Sequence, residues 1–352
     1  MGGIEVLTAD AKKLLREFVE LPYSLYRGNP HWVPPLRIAV KELLDRKKHP
    51  FYANAEAEFF VARQNGRVVG RVAAILDRNH NRFHEEDAGF FGFFEAVNDQ
   101  AVAGALLSRA RQWVFERGAK VLRGPVNPST NYECGMLIEG FDSSPMIMMS
   151  YNPEYYPALM DAVGLRKAKD LYAYYSLTAG VDSAKIDRVA ERSLATNGIR
   201  VRPIDMKNFE AEVARVWEVY NSAWQRNWGF IPMTREEFFL MGKEMKQILK
   251  PDLVLIGEKG GRMVGFALAL PDVNQALNRF THTICMRWVI PTSGPGTDLC
   301  LWEGAMQAIE APINGMNLYA PRHCRTTVNH GQTPLEAEWM IEVSDAVIEQ
   351  GF

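Results

Sequence analysis

Between Pro125 and the apolar run Met146-Ile147-Met148-Met149 the chain holds a loop dense in polar groups: Asn127, Thr130, Asn131, Tyr132, the carboxylate Glu133 and the thiol Cys134. Loops of that content line pockets, and a carboxylate among them is placed to exchange a proton, although turn-forming Asn and Ser explain part of the composition without a ligand. A second carboxylate, Glu95, closes the apolar run Gly89-Phe90-Phe91-Gly92-Phe93-Phe94. It reads either as a solvated group at a strand end or as a proton acceptor facing a site. Cys134 has no histidine near it in sequence to draw off its proton, so a buried structural thiol is expected. His80 and His84 lie four apart beside Glu85 and Glu86, a spacing that one helical turn converts into a shared face. No third ligand is evident, and Asn79, Asn81 and Arg82 mark a polar surface turn, so no metal is expected.

The elements that must hold these residues are built twice. Gly66-Arg67-Val68-Val69-Gly70 returns as Gly261-Arg262-Met263-Val264-Gly265, and at the same offset Leu106 and Ala110 fall on Leu301 and Ala305. A period so long marks a duplicated domain, since solenoid repeats recur every ~20 to 50 residues. In the first copy residues 58–64 and 67–76 flank Asn65-Gly66, the dipeptide of a type I′ hairpin turn. A buried strand over 89–95 follows. Then Ala103, Leu106, Leu107, Ala110, Trp113 and Val114 take helical spacing up to Gly118, and 119–125 forms a further strand. The second copy repeats the order with strands over 253–257, 262–270 and 285–290 and a helix through Leu301, Ala305, Met306 and Ile309. Its turn, Lys259-Gly260-Gly261, reads as one residue longer. Trp217, Trp224 and Trp228, ahead of that hairpin, suit a helical core stripe. The boundary falls near residue 180, giving domains over 1–180 and 181–352 in an α/β (α+β) chain of mixed, mostly antiparallel sheets flanked by helices.

The length of 352 residues suits two domains. With 47% hydrophobic and 23% charged residues the chain is globular rather than disordered. A net charge of −2 leaves no basic field for nucleic acid or a membrane surface. Cys134, Cys285, Cys300 and Cys324 lack paired spacing, and neither a leader nor an ~18-residue apolar run is present, so a cytoplasmic protein with reduced thiols is expected.

The order and residues of both copies resemble the GNAT superfamily of N-acetyltransferases. Phe18-Val19-Glu20-Leu21-Pro22-Tyr23-Ser24-Leu25-Tyr26 with Asn29-Pro30-His31-Trp32-Val33-Pro34-Pro35-Leu36, and the string from Gly124 to Gly135, resemble a bacterial, tandem-domain group within it. The resemblance implies two acyl-CoA N-acyltransferase-like domains, the second lacking its last strand because the sequence stops at Gly351-Phe352. It also implies a coenzyme loop at the start of the first helix. One register uses Asn98, Ala101 and Ala103; another uses Gln100, Ala103 and Ala105. Small residues there let backbone N–H groups approach a pyrophosphate. The implied coenzyme residues are thus Ala96, Val97, Asn98, Gln100, Ala101, Val102, Ala103 and Gly104, together with Asn152 at the head of a later helix. The second loop, Gly294-Pro295-Gly296, contains a proline without an N–H.

Family members carry a Tyr acid four residues before a Gly; here Met160 precedes Gly164, which passes that role to Tyr155 or Tyr156. The implied cosubstrate is acetyl-CoA or another acyl-CoA and the acceptor a small-molecule or peptide amine, with Glu95 or Glu133 as base and Asn127, Thr130, Asn131 and Tyr132 lining the acceptor pocket. The second domain would shape the acceptor cleft. Two other readings stand beside this one: a GNAT-fold scaffold without turnover, and a Fem-type aminoacyl transferase, against which the lack of a basic surplus counts.

Overall fold

The computed structural model describes residues 3–173, 183–277 and 340–343. The second copy's strand over 285–290, its helix and Gly-Pro-Gly loop, Cys285, Cys300, Cys324 and the stretch 314–332 lie outside the described residues. The chain forms two compact units, Met1–Tyr172 with Trp228–Thr234, and Ala173–Asn227 with the remainder. The boundary expected near 180 falls among residues that are not described. Residues 228–234 belong to the first unit although they lie deep in the second half of the sequence.

In the first unit β1 (Ile4–Thr8), β2 (Ala55–Gln64), β3 (Arg67–Asp77), β4 (Ala88–Ala96) and β5 (Val121–Arg123) form one sheet in that order. The first four are antiparallel and β4–β5 is parallel. A parallel pair needs a crossover, supplied by α4 (Gln100–Phe115). Asn65 and Gly66 take φ of 52° and 76°, as a two-residue turn with right-handed strand twist requires. β1, with no motif of its own, went unread in the sequence.

Alternation along β2 and β3 divides the core in two. Phe60, Ala62, Val72 and Ala74 face α4 with Leu106, Ala110 and Trp113, while Phe59, Val61, Ala73 and Ile75 face α1 (Lys12–Leu25) with Phe18 and Val19. The helical face expected for α4 is buried as a whole. Beyond β5 the chain makes a small hairpin, β6 (Val126–Asn127) with β7 (Glu133–Cys134). α2 (Arg37–Leu43), α3 (Arg78–His84) and α5 (Tyr156–Ala162) complete the unit.

The second unit repeats the plan. After α6 (Ser183–Asn197) come β8 (Arg200–Pro203), α7 (Phe209–Ala223), α8 (Arg235–Met245), β9 (Val254–Lys259), β10 (Arg262–Leu268) and β11 (Met340–Val343), paired antiparallel in the order β11-β10-β9-β8. Two helices between the first and second strands, then a hairpin, is the order of the first unit. The repeated motif also carries the same irregularity: Val69 is bulged between Arg63↔Val68 and Ala62↔Gly70, and Val264 between Glu258↔Met263 and Gly257↔Gly265. Lys259 pairs with Arg262, so the second turn is Gly260-Gly261, equal in length to the first and not one residue longer. Of the three tryptophans, Trp217 lies on α7, Trp224 ends it, and Trp228 lies beyond it in the first unit.

Gly92 sets how closely β6 approaches β4. A Cβ there would lie 1.6 Å from the Val126 carbonyl oxygen. Gly92→Ala is expected to cost about 3 kcal/mol or more, because a backbone oxygen rather than a flexible side chain must move. Urea unfolding measures it, and a loss under about 1 kcal/mol would contradict this packing.

Candidate active site

β4 is bulged where it matters. Arg71 pairs with Glu95 and Ala73 with Gly92, so Val72 faces both Phe93 and Phe94, and Phe93 takes φ of 48°. The bulge amide, Phe93 N–H, donates to Asn127 Oδ1 at 2.6 Å, and Asn127 Nδ2 donates to Glu133 Oε1 at 3.2 Å. Asn127 and Glu133 are register partners across β6 and β7. One asparagine thus ties the bend of the central strand to the loop carboxylate.

Glu95 lies on the α1 side of the sheet. The phenols of Tyr26, which ends α1, and Tyr156, which begins α5, donate to its Oε2 at 2.9 and 2.6 Å. Arg71 Nη2 stands 3.7 Å from its Oε1. The same guanidinium donates through Nη1 to Phe18 O at 2.9 Å and covers the Phe18 ring, yet its buried Nε has no partner. Tyr156 also accepts from Ala96 N at 2.9 Å, while Tyr155 donates to Ala96 O at 2.7 Å. Both tyrosines therefore fix the strand end from which the helix departs.

Burial is the largest influence on both carboxyls. It pushes Glu95 up against the pull of Arg71 and the two phenols. Glu133 rises to about 7, from burial first and then from the charge of Glu95. Part of Glu133 still meets the surface, and its enclosure by protein outweighs that opening. Burial likewise raises Tyr155 to about 12 and lifts Cys134, on which Glu133 also acts. The second unit offers a contrast. There Arg202 and Arg215 meet Glu212 and Glu258 in contacts of 2.7 to 3.3 Å, two cations for two anions, and Glu258 is held at about 2. That cluster is electrically closed, whereas two carboxylates around one guanidinium in the first unit leave room for a proton.

The residues implied for a coenzyme lie at the head of α4. Val97 N–H extends the ladder to Val69 O, Asn98 and Ala101 are exposed, and Gln100 donates to Ala162 O at 3.1 Å. Val102 and Ala103 are core residues, so only their backbone is open to a ligand's chemistry. A Cβ on Gly104 would meet only Val163, at 3.7 Å. Asp99 caps the helix, accepting from Ala101 N at 2.8 Å, and so sets a carboxylate where a diphosphate is expected. Asn152 is buried and holds the backbone of Leu137 at both N–H and O. In the expected acceptor loop, Thr130 donates to Gly229 O, Asn131 to Ile231 O, and Tyr132 packs against His49 and Phe51.

His80 and His84 do not form the surface turn read from their polar neighbours. They stand on α3, where His80 is buried against Glu86 and His84 lies 2.7 Å from Phe230 O. Among the described residues no group of three His, Cys, Asp or Glu could hold a metal ion. The residues that sequence reasoning missed are Arg71 and Tyr26. Arg71 was legible as the one charge within the apolar run 68–76 of β3. An open groove of about 390 Å³ runs along α1, lined among others by Glu20, Tyr23, Arg27 and Arg37.

No family profile matches the chain. It is 34% identical to bacterial ceramide synthase of Caulobacter vibrioides over 277 residues, 78% of this chain and 72% of that protein. It is also 34% identical to protein YghO of Escherichia coli over 271 residues, 76% and 68% of the two chains. The chain belongs to their family. Among solved structures, the tandem GNAT protein from the clavulanic acid biosynthesis pathway aligns at 15% identity over 76% of this chain and 74% of its own, with a TM-score of 0.43. In this member of the family both units carry an antiparallel sheet built on the repeated hairpin, and the first adds a parallel edge strand reached through the crossover helix α4. No helix among its described residues is long and apolar enough to cross a membrane.

Because Glu133 binds its proton more tightly folded than unfolded, the stability it contributes is present below about 4.5 and is lost as pH rises through about 7. The loss is at most about 3 kcal/mol, and less in proportion to the water that still reaches the group. Glu133→Gln cannot ionise. Its Tm is expected to gain on that of the wild type between pH 5 and pH 8, and parallel melting curves would contradict the assignment.

Proposed function

We propose that the first unit is an acyl-CoA-dependent N-acyltransferase with Glu133 as the base, and that its acceptor is a long-chain amino alcohol. The observation that carries the chemistry is the surplus carboxylate: Glu133, at about 7, is poised to take a proton near neutral pH, where general bases work best. The acceptor class is supported by the relationship to bacterial ceramide synthase, since a ceramide is the amide of such an amine with a fatty acid. Glu95, engaged by Tyr26, Tyr156 and Arg71, supplies a fixed negative charge beside the base.

In this reading the acyl-CoA lies at the head of α4, with its diphosphate on the backbone of residues 97–104 and the dipole of the helix favouring it. The amine enters on the α1 side as its free base. Its nitrogen forms the bond to the thioester carbon while passing one proton to Glu133, the carbon–sulfur bond breaks, and coenzyme A leaves as thiolate. A phenol raised to about 12, as Tyr155 is, surrenders its proton less readily than a thiol does, so its part is to hold Ala96 in place. Asn127 sets Glu133, and Thr130, Asn131 and Tyr132 shape the loop that carries it.

Glu133→Gln is expected to lower kcat by about 100-fold or more while KM for acyl-CoA changes little. Activity kept within tenfold, read as thiol release with long-chain amines, would remove Glu133 as base. Asp99→Asn keeps the helix cap and removes a charge facing the diphosphate, a repulsion of about 1 kcal/mol. Calorimetric titration with acyl-CoA is then expected to show affinity raised about fivefold. Unchanged affinity would place the coenzyme elsewhere, and no binding to either form would leave the scaffold reading.

A further inference from the structure

Trp228–Thr234 is the stretch of the second half that belongs to the first unit, while the residues on both sides of it belong to the second. Four consecutive main-chain carbonyls in it, those of residues 229 to 232, each meet a polar side chain of the first unit. Gly229 O accepts from Thr130 Oγ1, Phe230 O from His84 Nε2 at 2.7 Å, Ile231 O from Asn131 Nδ2 at 3.0 Å, and Pro232 O from Asn79 Nδ2 at 2.6 Å. Phe230, Ile231 and Met233 are buried, and the ring of Phe230 meets that of Phe83 edge-on. Side-chain bonds to four successive carbonyls specify one conformation of an irregular segment that turns at Gly229, which hydrophobic packing alone does not do.

The donors come from two places of unequal firmness. Asn79 and His84 stand on α3, which is capped by buried Asp77 and joined to the sheet through the paired bonds of Asn81 with Ala88. Thr130 and Asn131 stand on the loop between β6 and β7, two strands of two residues each. That loop has little regular structure to fix it, and Glu133 follows Asn131 by two residues. We infer that Trp228–Thr234 is a brace that fastens the Glu133 loop to α3, with Asn79 and His84 as positioning residues for the reaction. The second half of the chain thereby governs the first unit's chemistry through its own backbone. The inference rests on the reading of Glu133 as the base, since only then does the brace bear on turnover.

Asn79→Ala in the full chain tests it, because the Asn79 side chain bonds to the brace at Pro232 O and, among the described residues, makes no hydrogen bond to the Glu133 loop. Amide exchange is expected to speed up together in 228–234 and 127–134. The kcat should fall about tenfold or more with KM for acyl-CoA within twofold. The acid limb of the kcat profile should move to lower pH as water enters around Glu133, Glu95 and Arg71, and Asn79→Gln should recover part of the rate. Faster exchange in 228–234 alone, with kcat and its pH profile unchanged, would overturn the brace. If Asn79→Ala does not fold, exchange in the wild type decides: the two segments should open with the same free energy, and unequal opening contradicts the proposal. Retained activity in Glu133→Gln would sink the assignment of the base and leave the exchange coupling intact, so the two failures are distinct.

Discussion

Two carboxylates and one guanidinium enclosed by protein cannot reach neutrality by themselves. Desolvation makes an unmatched charge expensive, and the least costly remedy at neutral pH is a proton bound to one of the acids. The hydrogen bonds decide which acid holds it. Tyr26 and Tyr156 both donate to Glu95, and Arg71 stands nearest to it, so the anion is favoured there. Glu133 has one amide donor, from Asn127, and is left with the shared proton. The ion-pair cluster of the second unit shows the opposite solution, with each anion matched by a cation and no proton to trade.

The sheet exists in the form that makes this juxtaposition possible. The bulge at Phe93 and Phe94 turns the end of β4 so that Glu95 falls beside Arg71 and Ala96 meets both Tyr155 and Tyr156. Gly92 lets β6 come up against the bend, and Asn127 then spans from the bulge amide to Glu133. A short parallel contact between β4 and β5, ending at Phe90 and Arg123, frees the chain to make that hairpin. Site and bulge are one arrangement, because moving either would part the two carboxyls.

Much of this was legible in the sequence. Asn65-Gly66 and its distant copy announced both hairpins, and the spacing of Leu106, Ala110 and Trp113 announced α4, since local turn chemistry and burial of one helical face act within a few residues. Glu95 and Glu133 were both visible as carboxylates in unusual settings. Their nearness to Arg71 was not, because it depends on strand register and on a bulge that no local pattern marks. The roles of His84, Thr130 and Asn131 were hidden for a related reason. They recognise main-chain carbonyls about 100 to 150 residues away, and backbone groups leave no sequence signature. Asp99, an ordinary cap in sequence terms, becomes informative only under the proposal that the head of α4 holds a coenzyme diphosphate.

The central claim is that Glu133 holds a proton up to near neutral pH because burial raises its carboxyl and the charge of Glu95 raises it further. Carbon-13 NMR of the Glu133 carboxyl, assigned by its loss in Glu133→Gln, follows that titration directly. A midpoint near 7 in the wild type that falls toward the ordinary carboxylate range in Glu95→Gln is the predicted result. A wild-type midpoint near 4.5, or one untouched by Glu95→Gln, would contradict it.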